Sequence, residues 1–88
     1  MAATELLATG STAANSSDLV VASGSTVTVG IKGTTTSQAR VRITLKDDGG
    51  GYTDVGELTP FRPAIAITAP GTYRFTRVAG ETCGVFSA

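Results

Sequence analysis

The chain has 88 residues, with seven Lys and Arg balanced by seven Asp and Glu, no histidine and one cysteine. A formal charge of zero disfavours binding to nucleic acid or anionic lipid, which require an excess of positive charge. Without histidine and with a single thiol, the chain lacks the residues for a Ser/His or Cys/His catalytic pair, a closed zinc site or an intrachain disulfide. We therefore expect a protein that is not an enzyme and holds no cofactor.

Nothing in the sequence predicts export or membrane insertion. The apolar runs are far shorter than the roughly 20 residues needed to cross a bilayer. Glu5 stands where a secretory signal would carry Lys or Arg.

Apolar and polar residues alternate along most of the chain, and no long segment has the three-and-four spacing of a helix. This pattern predicts an all-β protein of seven to eight short, mainly antiparallel strands, arranged as a small β-sandwich or barrel. Residues 1–17 are expected to form a flexible arm or an edge strand, and residues 18–88 the sandwich domain. The predicted strands are residues 4–9, 19–22, 26–32, 39–46, 52–58, 64–68, 72–78 and 82–88.

Segment 39–46, ARVRITLK, is the clearest predicted strand. Its period of two puts Val41, Ile43 and Leu45 on the core face. The opposite face carries Arg40, Arg42, Thr44 and Lys46.

The segment DDGGG, residues 47–51, has three interpretations. A phosphate loop would need its glycines to lead into a helix, whereas a β-type segment follows here. A calcium site from Asp47, Asp48 and Asp54, completed by backbone carbonyls, stays open although the spacing departs from that of an EF-hand. A hairpin turn is favoured, because Asp caps turns and glycine accepts positive φ.

The residues after this turn are predicted to continue as an irregular strand. Tyr52 and Asp54 should face opposite to Val55, and Gly56 should mark a β-bulge or a close backbone approach. The two prolines of residues 59–63 place that segment at an edge or at a crossing between sheets.

PGTYRF, residues 70–75, resembles the tyrosine corner of immunoglobulin-like sandwiches, in which a Tyr hydroxyl bonds to nearby backbone. Tyr73 is the matching residue. The cysteine pair and core Trp of antibody domains are missing, so the resemblance is to the wider Ig-like group.

The order of SGSTVTVGIKG, ARVRITLKDDGGGYTDVGELT, PGTYRFTRV and CGVFSA resembles that of small virion structural proteins of tailed bacteriophages. Tyr52 departs from that pattern, which often has Trp at this position. The resemblance implies a non-enzymatic capsid decoration (cement) protein with an Ig-like sandwich. It implies a major capsid protein or other virion protein as partner, a homo-oligomer such as a trimer, and a place on the capsid surface after synthesis in the host cytoplasm.

An alternative within virions is a tail or fibre module that contacts a host-surface glycan or protein. Exposure of Tyr52 or Phe61 near the loops would favour it, because aromatic faces stack on sugars.

Three arginines are candidate partner-binding residues. Arg40 and Arg42 share a face, and in an Ig-like arrangement the strand carrying Arg74 would lie beside them. Stacked like charges are unfavourable unless carboxylates intervene or a partner supplies them. The face is therefore either solvated and crossed by local ion pairs, or a docking face for an acidic surface. The carboxylates available within the chain are Asp54, Glu57 and Glu81.

Glu5, Leu6 and Leu7 are the other candidate partner-binding residues, because this segment could add as a strand to a neighbouring subunit. Cys83 lies in an apolar segment with no adjacent Lys or Arg, which predicts a small buried hydrophobe rather than a reactive thiol.

Overall fold

The computed structural model describes residues 3–88, so residues 1–2 of the predicted N-terminal arm lie outside the described part. This part consists of nine β-strands joined by turns and loops. No helix within residues 3–88 is long and apolar enough to span a membrane. The strands are β1 Thr4–Gly10, β2 Ala14–Asn15, β3 Leu19–Val21, β4 Val27–Lys32, β5 Val41–Lys46, β6 Tyr52–Leu58, β7 Ala64–Ile67, β8 Gly71–Arg77 and β9 Cys83–Ser87.

The strands form two antiparallel sheets. The first sheet has the order β1-β9-β4-β7, and the second has the order β2-β8-β5-β6 with β3 also paired to β8. The expected pairing of the arginine-bearing strands β5 and β8 is present. The predicted small all-β sandwich is confirmed.

The core lies between the two sheets. Val41 and Ile43 are buried as the alternation predicts, and Leu45 packs partly against them. Phe75 on β8 and Leu58 on β6 are fully enclosed, each with 0% of its surface exposed. The first sheet supplies mainly Leu7, Val29, Ile31, Ile67, Cys83 and Val85.

The inward face of β8 carries Tyr73, Phe75 and Arg77, which are all buried. The Tyr73 hydroxyl donates a hydrogen bond to the carbonyl oxygen of Ala69 at 2.9 Å. This is the local contact that the tyrosine-corner resemblance predicted. The last strand, β9, nevertheless pairs with β1 and β4 in the first sheet rather than with β8.

A β-bulge interrupts β6 next to Gly56, as predicted. Ile43 pairs with Gly56 and the next residue, Thr44, pairs with Asp54, so Val55 is the extra residue. Its side chain is 52% exposed at the opening between the free edges of β6 and β7. The bulge therefore turns an apolar residue away from the packed interior.

The N-terminal segment is part of the sandwich. Strand β1 pairs with β9 and forms an edge of the first sheet. Of the two predicted alternatives for this segment, the structure shows the edge strand and not the flexible arm. The chain then crosses to the second sheet, where β2 pairs with β8. Residues 10–17 lie outside the predicted strands, but the expectation that they form no strand is wrong, because Gly10 ends β1 and Ala14–Asn15 extend the ladder of β8.

Candidate docking site

The outer face of the second sheet carries the predicted arginines, and each forms an ion pair within the chain. Arg42 Nη1 lies 3.2 Å from Asp54 Oδ2, and Arg40 Nε lies 3.5 Å from Glu57 Oε2. Both pairs follow from the register, in which β5 and β6 run side by side. The predicted partners Asp54 and Glu57 are confirmed.

These two ion pairs are largely in solvent. Their four side chains are between 50% and 58% exposed. Exposed pairs of this kind contribute about 0.2–1 kcal/mol each to stability. The arginines are thus oriented by their neighbours but remain accessible to another molecule.

Arg74 belongs to a separate network at the other end of the sheet. Its Nε donates to Asp18 Oδ1 at 3.0 Å, and its Cζ lies 3.9 Å from the centre of the Tyr52 ring. The Tyr52 hydroxyl donates to Asp18 Oδ2 at 3.0 Å. Asp18, not Glu81, is therefore the carboxylate partner of Arg74, because β3 and the residue before it lie beside β8.

This network favours the ionised form of Asp18 and places a guanidinium on one face of the Tyr52 ring. The hydrogen bond from Arg74, followed by that from Tyr52, lowers the pKa of Asp18 below its ordinary value. Desolvation and the hydrogen bond to Asp18 raise the pKa of Tyr52. Since a guanidinium already stacks on the Tyr52 ring, that face is not free to stack on a ligand.

The turn after β6 presents an aromatic side chain to solvent. Thr59 Oγ1 accepts hydrogen bonds from the backbone N–H groups of Phe61 and Arg62, both at 3.2 Å. A backbone bridge between Thr59 and Arg62 closes the turn. Phe61 at its tip is 83% exposed. As the prolines predicted, this segment crosses from the second sheet to the first.

A groove of about 700 Å³ lies between this turn and the paired charges of β5 and β6. We call it the Phe61 groove. Its main side chains are Arg40, Arg42, Asp54, Glu57, Phe61 and Arg62. An exposed aromatic ring beside several charged groups provides both apolar contact area and polar contacts, as the centre and rim of a protein interface do.

The DDGGG segment is a hairpin turn between β5 and β6, which confirms the favoured interpretation. Asp47 Oδ1 accepts hydrogen bonds from the N–H groups of Gly49 at 2.9 Å and Gly51 at 3.0 Å. Gly50 has a φ of 85°, which glycine adopts without strain. The glycines lead into strand β6 and not into a helix.

The candidate calcium ligands Asp47, Asp48 and Asp54 are not arranged around one point. The Asp47 carboxylate is used by the turn amides and by Thr53, and Asp54 faces Arg42. Within residues 3–88, no group of three or more His, Cys, Asp or Glu residues is arranged to hold a metal ion.

The N-terminal candidates lie in two environments. Glu5 is exposed on β1 and forms an ion pair with Lys32. Leu6 packs partly against the core and Leu7 is only 8% exposed inside it. Both leucines therefore contact their own domain, and of the three residues Glu5 is the most accessible.

Three residues that matter here, Asp18, Arg62 and Arg77, were not singled out from the sequence. Arg62 lines the groove. The only sequence feature that could have identified it is its position next to Phe61 in a segment with two prolines. Arg77 is buried, and its signal was the alternation that it shares with Tyr73 and Phe75.

No protein-family model, curated protein or solved structure matched the chain.

Proposed function

We propose that the chain is a non-enzymatic virion structural protein of a tailed bacteriophage, a decoration protein that binds the capsid surface and stabilises it by bridging subunits. The resemblance in strand order and turn motifs supports the assignment to virions. The all-β sandwich is compatible with it. The partner is a major capsid protein or another virion protein.

The observation that carries a docking role is the exposure of Phe61. A side chain 83% exposed on a turn fixed by Thr59 Oγ1 keeps an apolar surface in water without contributing to the core. A turn whose backbone is already hydrogen-bonded needs less ordering on contact, which lowers the entropy cost of binding. Arg40 and Arg42 beside it supply polar contacts.

Contacts between copies of the chain are the second part of the proposal. Strand β1, with Glu5 exposed, is an edge strand of the first sheet, and edge strands are where a strand of another chain can add. A homo-oligomer such as a trimer would give several docking sites at once, which strengthens attachment through multivalency. Light scattering of the purified protein should give a mass above the 8.9 kDa of one chain. A monomer at all concentrations would remove the oligomer from the proposal.

Capsid binding tests the main proposal. Purified protein should co-sediment with capsids that lack it and raise the temperature at which they release DNA. Phe61→Ala should weaken binding by about tenfold or more, as expected for an aromatic anchor at an interface. Val20→Ala is the matched control, because Val20 is also exposed, at 70%, but lies on β3 away from the groove. Failure of the unaltered protein to bind or protect capsids would refute the proposal.

The exposure of Phe61 also favours a second candidate, a tail or fibre module that contacts a host-surface glycan or protein. A free aromatic face stacks on sugar rings, and the neighbouring arginines can donate hydrogen bonds to hydroxyl groups. Binding to host glycans on an array, lost in Phe61→Ala, would support this candidate. Binding to capsids together with no glycan signal would rule it out.

A further inference from the structure

The charges around the Phe61 groove do not balance. Three arginines, Arg40, Arg42 and Arg62, lie beside the two carboxylates of Asp54 and Glu57, which leaves one excess positive charge. The chain as a whole has a formal charge of zero. The excess is therefore a local property of this groove.

Arg62 is the source of this excess. Within the part of the chain that the structure describes, Arg40 and Arg42 each have a carboxylate partner, whereas Arg62 has none. The turn that orders Phe61 also orders Arg62, since Thr59 Oγ1 accepts a hydrogen bond from the backbone N–H of each. The backbone of both residues is thus ordered by one hydroxyl, and both side chains line the same groove.

We propose that the Phe61 groove binds an acidic segment of a partner protein, with a carboxylate on Arg62 and an apolar side chain against Phe61. A guanidinium presents parallel N–H groups that match a carboxylate. The ring supplies the apolar contact beside it. This inference rests on the proposed docking role and specifies the chemistry of the partner.

Other occupants fit the groove less well. A nucleic-acid backbone would bring its phosphates close to Asp54 and Glu57, and the chain has no overall positive charge to offset this repulsion. A neutral sugar would stack on Phe61 but would leave Arg62 without an anion. A protein segment with separate acidic and apolar side chains satisfies both groups.

The groove can adapt to an incoming carboxylate at low cost. The Arg40–Glu57 and Arg42–Asp54 pairs are about half exposed, so their rearrangement sacrifices little stability. Either arginine can then contribute a second contact to the ligand. Arg62 gives the first contact because no internal pair has to open.

Nuclear magnetic resonance with short peptides tests this inference. The probe is the acetylated peptide Glu-Glu-Phe-Glu-Glu, compared with Lys-Lys-Phe-Lys-Lys. The acidic peptide should shift the amide signals of Phe61 and Arg62 and the Nε–H signal of Arg62, and the basic peptide should not. Raising the salt from about 50 mM to about 500 mM should weaken binding, since the contacts are charged and exposed.

Two variants separate the groove from general charge effects. Arg62→Gln should weaken binding of the acidic peptide by about tenfold, because a charged hydrogen-bond donor is lost. Lys46→Gln removes one positive charge from the same sheet face outside the groove and should leave binding unchanged. Equal losses in both variants, equal binding of the basic peptide, or no shifts at the groove would each overturn the inference.

Capsid binding distinguishes this inference from the proposed function. Capsids that bind the unaltered protein and Arg62→Gln equally would refute the acidic partner and leave the decoration role standing. Binding of the acidic peptide at the groove by a protein that does not bind capsids would refute the decoration role and leave the inference standing.

Discussion

Arg77 Nε donates a hydrogen bond to the carbonyl oxygen of Thr12 at 2.6 Å, and Nη1 donates to those of Ala8 and Cys83 at 2.8 and 2.9 Å. The arginine is only 5% exposed. Within residues 3–88 no carboxylate is paired with it, so backbone carbonyl dipoles take the place of a counter-ion. One side chain thereby joins β1 and the segment after it to the last strand.

Replacement of Arg77 should be strongly destabilising. Arg77→Met keeps most of the buried volume but leaves three carbonyl oxygens without their donor, and each such loss costs about 1–3 kcal/mol. We expect a decrease of roughly 3 kcal/mol or more in the free energy of unfolding, measured by urea denaturation. The stability of Arg77→Lys should lie between those of the unaltered protein and Arg77→Met, because the lysine ammonium lacks the planar set of N–H donors of a guanidinium.

Arg40→Met is the control for this prediction. It removes the same charge from an exposed side chain and should change stability by no more than about 1 kcal/mol, the most that an exposed ion pair contributes. Similar stabilities for the two methionine variants would show that the buried hydrogen bonds of Arg77 contribute little.

The backbone of β1 approaches β9 closely at Gly84. A Cβ there would lie 2.7 Å from the carbonyl oxygen of Leu7 and 2.9 Å from the amide nitrogen of Thr9. Both are backbone atoms, so Gly84→Ala should push β1 away from β9. We expect a loss of about 1–3 kcal/mol and faster hydrogen exchange of the β1 amides.

Gly30→Ala is the matched comparison within the same sheet. A Cβ at Gly30 would meet the ring of Phe86 at 2.7 Å, and this ring belongs to a partly exposed side chain that can rotate away. The substitution should cost less than Gly84→Ala and leave exchange of the β1 amides unchanged. The reverse order of effects would mean that β1 is not held by this contact.

Acid should weaken the fold through two aspartates. The backbone N–H groups of Gly49 and then Gly51 lower the pKa of Asp47, and Arg74 and then Tyr52 lower that of Asp18, in each case from an ordinary value of 3.8. Each pKa is lower in the folded protein than in the unfolded chain. The stability that the two ionised carboxylates contribute is therefore fully present above pH 3.8. It is lost as the pH falls through the folded pKa values.

Urea denaturation at pH values from about 7 down to about 2 measures this loss. Asp47→Asn should make the dependence on acid shallower, because Asn still accepts the turn hydrogen bonds but does not titrate. Asp48→Asn removes a charge from the same turn without removing an acceptor used by Gly49 or Gly51. A change of slope as large in Asp48→Asn as in Asp47→Asn would contradict the assignment.

Cys83 should react slowly with thiol reagents in the folded protein. Cys83 has 0% of its surface exposed. Burial raises the pKa of the thiol, so little thiolate is present at neutral pH. Labelling should become fast in urea and in Arg77→Met, which loses the hydrogen bond to the Cys83 carbonyl. Phe61→Ala should label as slowly as the unaltered chain. Labelling of the native protein at the rate of the unfolded chain would show that the thiol is accessible.

The strands and turns that follow local rules could be predicted from the sequence. Alternation identified the core face of β5, with Val41 and Ile43 buried. The turn chemistry of Asp47 and the following glycines identified the hairpin. The tyrosine-corner pattern identified the hydroxyl contact of Tyr73. Each of these depends on residues close together in the chain.

Features that depend on strand order could not be predicted in the same way. Alternation does not state which strands are neighbours, so the place of β9 between β1 and β4 was not foreseen. The pairing of Arg74 with Asp18 follows from β3 lying on β8, across 56 positions in sequence. The Phe61 groove likewise combines β5, β6 and the turn after it.

The bulge at Val55 has a consequence for how the protein behaves when it is crowded. Strand β6 is the outer strand of its sheet and carries backbone groups that another chain can pair with. The extra residue bends the strand and breaks the regular spacing of those groups. An edge strand interrupted in this way is a poorer template for the intermolecular sheet growth that leads to amyloid than a regular one.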